Sequence, residues 1–128
     1  MRLLLDTHAL LWWWSEAASL SPTCRKLISD QGNEILVSAA SAWEIATKVR
    51  LGRLQVSIDL ARDFSDYLLR DGFLTLPVSA EHGLRAGLLP VPHKDPFDRM
   101  LVAQAQVEEL PIVSNEEIFD SYGVQRIW

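Results

Sequence analysis

A chain of 128 residues, 48% of them hydrophobic and 23% charged, is long enough to bury a core and too apolar to stay disordered. Its single cysteine, Cys24, excludes an internal disulfide framework and a cysteine-built zinc site, and fits a reducing, cytoplasmic compartment. The net charge of −5 argues at first sight against a polyanionic partner but excludes little: if five of the 17 acids share one cation-filled pocket, the other 12 balance the 12 Lys and Arg residues.

The chain opens on Leu3, Leu4 and Leu5, an apolar run that stops on Asp6. Asp6 and His8 interrupt the stretch a secretion signal needs, and the uncharged run beyond them is too short to cross a bilayer, so no membrane role is expected. Residues 2–5 are predicted as a first strand, with helical spacing following at 10–14 and 21–30. A second strand at 34–37 leads into helices at 41–50 and 60–69, and a third strand at 73–76 leads into a helix at 80–86. Pro90, Pro92 and Pro96 force an extended loop, because each disfavours helix at the residue before it. A helix at 96–108 and strands at 111–113 and 124–127 complete the chain, the last after a turn at Gly123. Continuously apolar strands alternating with helices specify an α/β fold, a mostly parallel sheet covered on both faces, as one domain over residues 1–128. Consecutive helix positions point about 100° apart. Trp12, Trp13 and Trp14 therefore cannot all enter one core; at least one is expected to be partly exposed, at a protein interface more than stacked on a base, with core packing for the other two.

The acids fall where strands end. Asp6 follows the first strand, Glu44 is expected in the first turn of the helix after the second, and Glu116 follows the fourth. In open parallel sheets that edge binds ligands. Asp98 joins them provided the helix at 96–108 starts near the same edge; Leu101, Val102 and Ala105 at three, four and seven residues on put it on the inward face. Two carboxylates about 4 Å apart repel by roughly 4 kcal/mol at an effective dielectric near 20, so several acids in one hollow require protons or a cation. Oxygen ligands without a histidine pair or cysteine pattern point to Mg²⁺ or Mn²⁺.

Each acid also has a purely structural explanation. Asp95, Pro96 and Asp98 read as a helix start, Ser41 and Glu44 as a capping box with Lys48 as an ion-pair partner, Asp6 as a cap for the helix opening at His8, and Glu116 as the leading acid of a short segment ending at Phe119. Caps do not explain why several acids converge on one sheet edge. Asp-x-Asp phosphatase chemistry is excluded because His8 stands where the second acid belongs, and a phosphoacceptor receiver lacks its acidic pair.

The stretches "LLLDTHALLWW", "SAASAWEIATKVRLGRL", "LPVSAEHGLRAGLLPVPHKDPFDRMLVAQAQ" and "LPIVSNEEIFDSYGV" together resemble the PIN-domain ribonucleases, specifically the VapC toxins of bacterial toxin–antitoxin pairs. The resemblance runs through nearly the whole chain in order. It implies a three-layer PIN-like sandwich with four to five strands and a Mg²⁺- or Mn²⁺-dependent endoribonuclease that leaves a 5′-phosphate and a 3′-hydroxyl. It also implies dimerisation and inhibition by a small VapB-type antitoxin. Carried over by position, the catalytic acids fall on Asp6, Glu44 and Asp98. The fourth metal position falls on Glu116 after Ser114 and Asn115, a departure from the family's usual Asp, while Asp95 and Ser114 become cap or supporting residues. Lys48, Arg50, Arg53, Lys94 and Arg99 are the candidate RNA contacts, and His93 a candidate to orient a phosphate. The competing reading is a non-catalytic interaction module on the same fold.

Overall fold

The computed structural model describes residues 1–57, 59–90, 93 and 95–128. Leu3, Leu4 and Leu5 have no exposed surface, so β1 (Arg2–Leu5) must be covered on both faces, and the rest of the architecture does this. Its partners are β2 (Glu34–Ser38), β3 (Leu74–Leu76), β4 (Ile112–Val113) and β5 (Arg126–Ile127), all parallel, in the order β3-β2-β1-β4-β5.

Alternation along the strands sorts the side chains into two cores. Leu3, Leu5, Ile35, Val37 and Val113 face one side, where Leu10 of α1 (Thr7–Trp14), Cys24 and Ile28 of α2 (Pro22–Ser29), Ile45 of α3 (Ala39–Arg50) and Leu68 of α4 (Leu60–Asp71) cover them. Leu4, Leu36, Leu76 and Ile112 face the other side, covered by Leu101, Val102 and Ala105 of α6 (Pro96–Val107) and by Phe119 of a 3-10 helix (Glu117–Tyr122). α5 (Ala80–Leu88) packs on α6. The result is the expected three-layer α/β sandwich, with every observed pairing parallel.

Several boundaries differ from the sequence expectation, each for a local reason. α1 begins at Thr7, three residues early, because Asp6 in extended backbone starts it. α3 begins at Ala39 because Ser38, not Ser41, is the cap: its side chain accepts from Ala40 N–H. Ser41 instead lies inside the helix, bonded to Thr7 Oγ1 (2.9 Å), and Glu44 falls in the second turn. At least one tryptophan keeps partial exposure as expected, but the other two are not fully inside the core either. All three are half-buried against the same core: Trp12 meets Trp128, Trp13 meets Phe73, Trp14 meets Phe64 and Tyr67, and both Trp13 and Trp14 indole N–H groups donate to Asp71 Oδ2.

The strand order positions the site. From β1 the chain proceeds to β2 and β3 on one side, then crosses to β4 on the other. The connections leaving β1 and β4 at their carboxyl ends therefore diverge, which opens a crevice at that switch point.

Candidate active site

Register delivers the first two groups. Leu5 pairs with Val113, so Asp6 and Ser114, the next residues on β1 and β4, emerge side by side. Asp6 N–H donates to Val113 O (3.0 Å), and Ser114 Oγ donates to Asp6 Oδ2 (2.7 Å). Ser114 Oγ also accepts from Glu116 N–H (3.0 Å), which turns the chain so that Glu116 follows into the same crevice. Asp6 makes no side-chain cap bond to α1, so capping does not account for its burial.

Asp98 enters from α6. Asp95 caps that helix, accepting from Phe97 and Asp98 N–H with Pro96 at the first position, as a helix start requires. Asp98, buried on the inward face, has Oδ2 2.8 Å from His93 Nε2. Burial lifts the Asp6 carboxyl to about 7 and the charges of Asp98 and Glu116 add to the effect, while the Ser114 hydrogen bond and His8 oppose it. Asp98 is lifted to about 6, again mainly by burial, with Asp95 and Glu116 raising it and His93 opposing. The three acids thus share one field.

Glu44 is 3% exposed on α3 and paired with Lys48 one turn on. Burial works against the Lys48 charge, yet the Glu44 hydrogen bond and the charges of Glu44, Asp95 and Asp98 hold its pKa above the ordinary value. Only one Glu44 oxygen is engaged in this way; Oε1 is buried without a hydrogen-bond partner among the described residues. Such an orphaned acceptor is costly unless a proton or a cation meets it.

His8 is the member that sequence reasoning missed. One ligand atom each from Asp6, His8 and Glu116 lie within 4.8 Å of one another, a group that does not include Glu44 or Asp98. His8 Nδ1 is 3.3 Å from Glu116 Oε1 and the ring stacks on Trp12. The spacing Asp6-x-His8 across a strand end and the first helical turn was the available signal. These donors, mostly carboxylate with one imidazole and one orphaned oxygen, fit a divalent cation.

A sequence profile described as the PIN domain matches residues 3–125. The chain belongs to the PIN domain family. This PIN domain is 42% identical to Ribonuclease VapC16 of Mycobacterium tuberculosis over 66 residues, which is 52% of this chain and 45% of that protein, so the match spans less than half of the relative. In fold it is similar to VapBC2 from Rickettsia felis bound to a promoter DNA fragment (TM-score 0.67, 15% identity, 99% of this chain and 98% of that one). It is likewise similar to a toxin–antitoxin complex from Klebsiella pneumoniae (TM-score 0.62, 15% identity, 90% and 87%).

The basic residues of this PIN domain divide. Lys48 and Arg53 line one hollow with Glu44 and His8. Gly52, at φ +72°, ends α3 in the left-handed conformation and lets Arg53 N–H return to Lys48 O (2.8 Å), which brings Arg53 back beside Lys48. Arg50 is exposed on the last turn. Arg99 is committed elsewhere: its guanidinium donates to the carbonyls of Ala86, Gly87, Leu89 and His93, tying the end of α5 to the loop that carries His93. Lys94 lies outside the described residues. His93, the candidate to orient a phosphate, is half-buried with Nε2 on Asp98 Oδ2.

Proposed function

We propose that this PIN domain is a metal-dependent endoribonuclease, the toxin of a toxin–antitoxin pair, acting in the cytoplasm by hydrolysis of RNA phosphodiester bonds. The observation that carries the reading is Asp6, a carboxyl group 2% exposed at the carboxyl end of the central strand and facing the charges of Asp98 and Glu116. Burying an acid among acids lowers stability, and such perturbed groups cluster where chemistry needs them. The similarity to Ribonuclease VapC16 and to toxin–antitoxin complexes supports RNA as substrate and a small VapB-type antitoxin as partner. Exposed Leu84 and Leu88 on α5 support a homodimer by offering an apolar face to a second copy.

Asp6, Glu44, Asp98 and Glu116, joined by His8, are the residues that would hold Mg²⁺ or Mn²⁺. When bound, such an ion polarises the scissile phosphate and eases deprotonation of water. The chain's own residues prepare the site. Ser114 fixes the Asp6 carboxylate and favours its charged form, and His93 does the same for Asp98. Lys48, Arg50 and Arg53 offer positive charge to flanking phosphates, while Asp95 serves by capping α6.

The test is Asp6→Asn, with Mn²⁺ binding by calorimetry and cleavage of total RNA as readouts and circular dichroism as the fold check. Both readouts should fall at least about tenfold with the fold intact, as loss of a ligand well beyond an outer-shell change requires. A variant that still cuts like the native protein overturns the reading. A native protein that neither binds the ion nor cuts RNA leaves the non-catalytic interaction module.

A further inference from the structure

Beyond the acids, His8 borders two adjoining hollows. The first is lined by Glu44, Lys48 and Arg53. The second, with a volume of about 460 Å³, shares His8, Leu11 and Leu54 with the first and is walled by Trp12, Trp14 and Tyr67, with Gln55 and Ser57 among its lining. The size falls within the roughly 300–1,000 Å³ of small-ligand pockets. His8, grouped with Asp6 and Glu116, borders both hollows, so the cations of the first and the rings of the second adjoin the acids through the same residue.

Acids, cations and rings that meet at one residue suit an unpaired nucleic-acid strand: with one phosphate at the acids, a neighbouring phosphate would face Lys48 and Arg53 and a planar base would face the rings. Single-stranded RNA is held by basic tracks flanked by aromatic platforms, with polar side chains reading base edges. The walls here are preset by ring packing: His8 on Trp12 (5.7 Å between centroids, 26° between planes) and Trp14 against Tyr67 (5.5 Å, 62°). The rings are half-buried, so each keeps accessible surface, and Gln55 and Ser57 supply the polar groups at exposed positions.

We propose that this hollow is a subsite for one unpaired nucleobase of the RNA strand, adjacent to the phosphate at the acids. The proposal rests on the ribonuclease reading and adds to it where the strand runs. A protein side chain would suit the aromatic wall equally, but Lys48 and Arg53 in the adjoining hollow favour a ligand that carries negative charge beside each ring.

The experiment is fluorescence anisotropy with end-labelled RNA decamers in Ca²⁺: oligo(A), oligo(U) and a ribose-phosphate decamer of the same charge without bases. The native protein should bind oligo(A) or oligo(U) roughly 5- to 150-fold more tightly than the abasic strand, the range expected for one stacked base. Tyr67→Leu, which keeps the wall apolar but removes the ring, should bring that ratio close to one and leave abasic affinity unchanged. Ser57→Leu, which fills the hollow from an exposed loop position, should do the same and serves if Tyr67→Leu does not fold. A native ratio of one, or a ratio unchanged in a folded variant, overturns the subsite; the second result leaves a protein side chain as the occupant. Cleavage of the same decamers in Mn²⁺ is read in parallel. Cleavage without base preference overturns the subsite alone, whereas base preference lost in the variants but no cleavage supports the subsite and removes the nuclease.

Discussion

Ser114 Oγ donates to Asp6 Oδ2 over 2.7 Å although the two residues are 108 positions apart. The bond exists because β1 and β4 are neighbours in register, and it is the contact that most favours the charged form of Asp6 against burial. Ser114→Ala should therefore raise the Asp6 pKa further above its present value of about 7. Outer-shell partners of metal ligands are typically worth about 10- to 100-fold in affinity or activity. Mn²⁺ affinity measured at pH 7 should drop by that order and recover partly at pH 8.5; an unchanged affinity at both pH values removes Ser114 from the site.

The raised acids also set the pH dependence of stability. Asp6 at about 7 and Asp98 at about 6 both lie above the ordinary value of 3.8. Between pH 4 and these values the folded protein retains protons that the unfolded chain has released. Their contribution to stability is fully present below about pH 4 and declines as pH rises, by up to about 1.4 kcal/mol per group per pH unit, until both are ionised. The urea midpoint in EDTA should fall between pH 5 and pH 7.5. Millimolar Mn²⁺ should reverse that trend, because the ion binds the ionised form.

Lys48 tests the Glu44 environment. Removing one partner of a buried pair leaves an uncompensated charge, typically at a cost of about 3–5 kcal/mol, to be discounted here because Lys48 is 29% exposed. Lys48→Met should lower stability by about 2–3 kcal/mol in EDTA, with Glu44→Gln restoring much of it in the double variant. Additive losses would mean the pair contributes no coupling.

His8 brings an imidazole nitrogen to the carboxylate group of Asp6 and Glu116. Nitrogen donors favour transition-metal ions over Mg²⁺. His8→Ala should weaken Mn²⁺ binding while leaving Mg²⁺ binding within about twofold, a contrast that calorimetry with each ion reads directly. Equal losses for the two ions would exclude direct ligation.

Asp71 accepts both indole N–H groups of Trp13 and Trp14 and so ties α1 to the end of α4. Asp71→Ala leaves two half-buried donors without that partner and should lower stability by about 1–3 kcal/mol, seen in thermal melts.

Much of this protein was legible locally. The leucine run, the alternation of apolar strands with helices, and the Asp95-Pro96 start of α6 are encoded by neighbouring residues, since side-chain period and cap chemistry act over one or two turns. The positions of Asp6 and Glu116 just past strands followed from the same signals. The capping role expected of Ser41 belonged to Ser38, because two serines three residues apart offer equivalent caps and only the docking of Thr7 on Ser41 distinguishes them.

Contacts between distant segments decided the rest. Strand order, and with it the meeting of Asp6 with Ser114, depends on which edges pair after the crossover from β3 to β4. Arg99, a candidate for phosphate by charge, is drawn to the open carbonyls at the end of α5 because those groups need donors once buried, and His8 joins the acids because α1 turns it toward Glu116. Charge and period are properties of a residue and its neighbours; which groups satisfy one another is settled when the layers close.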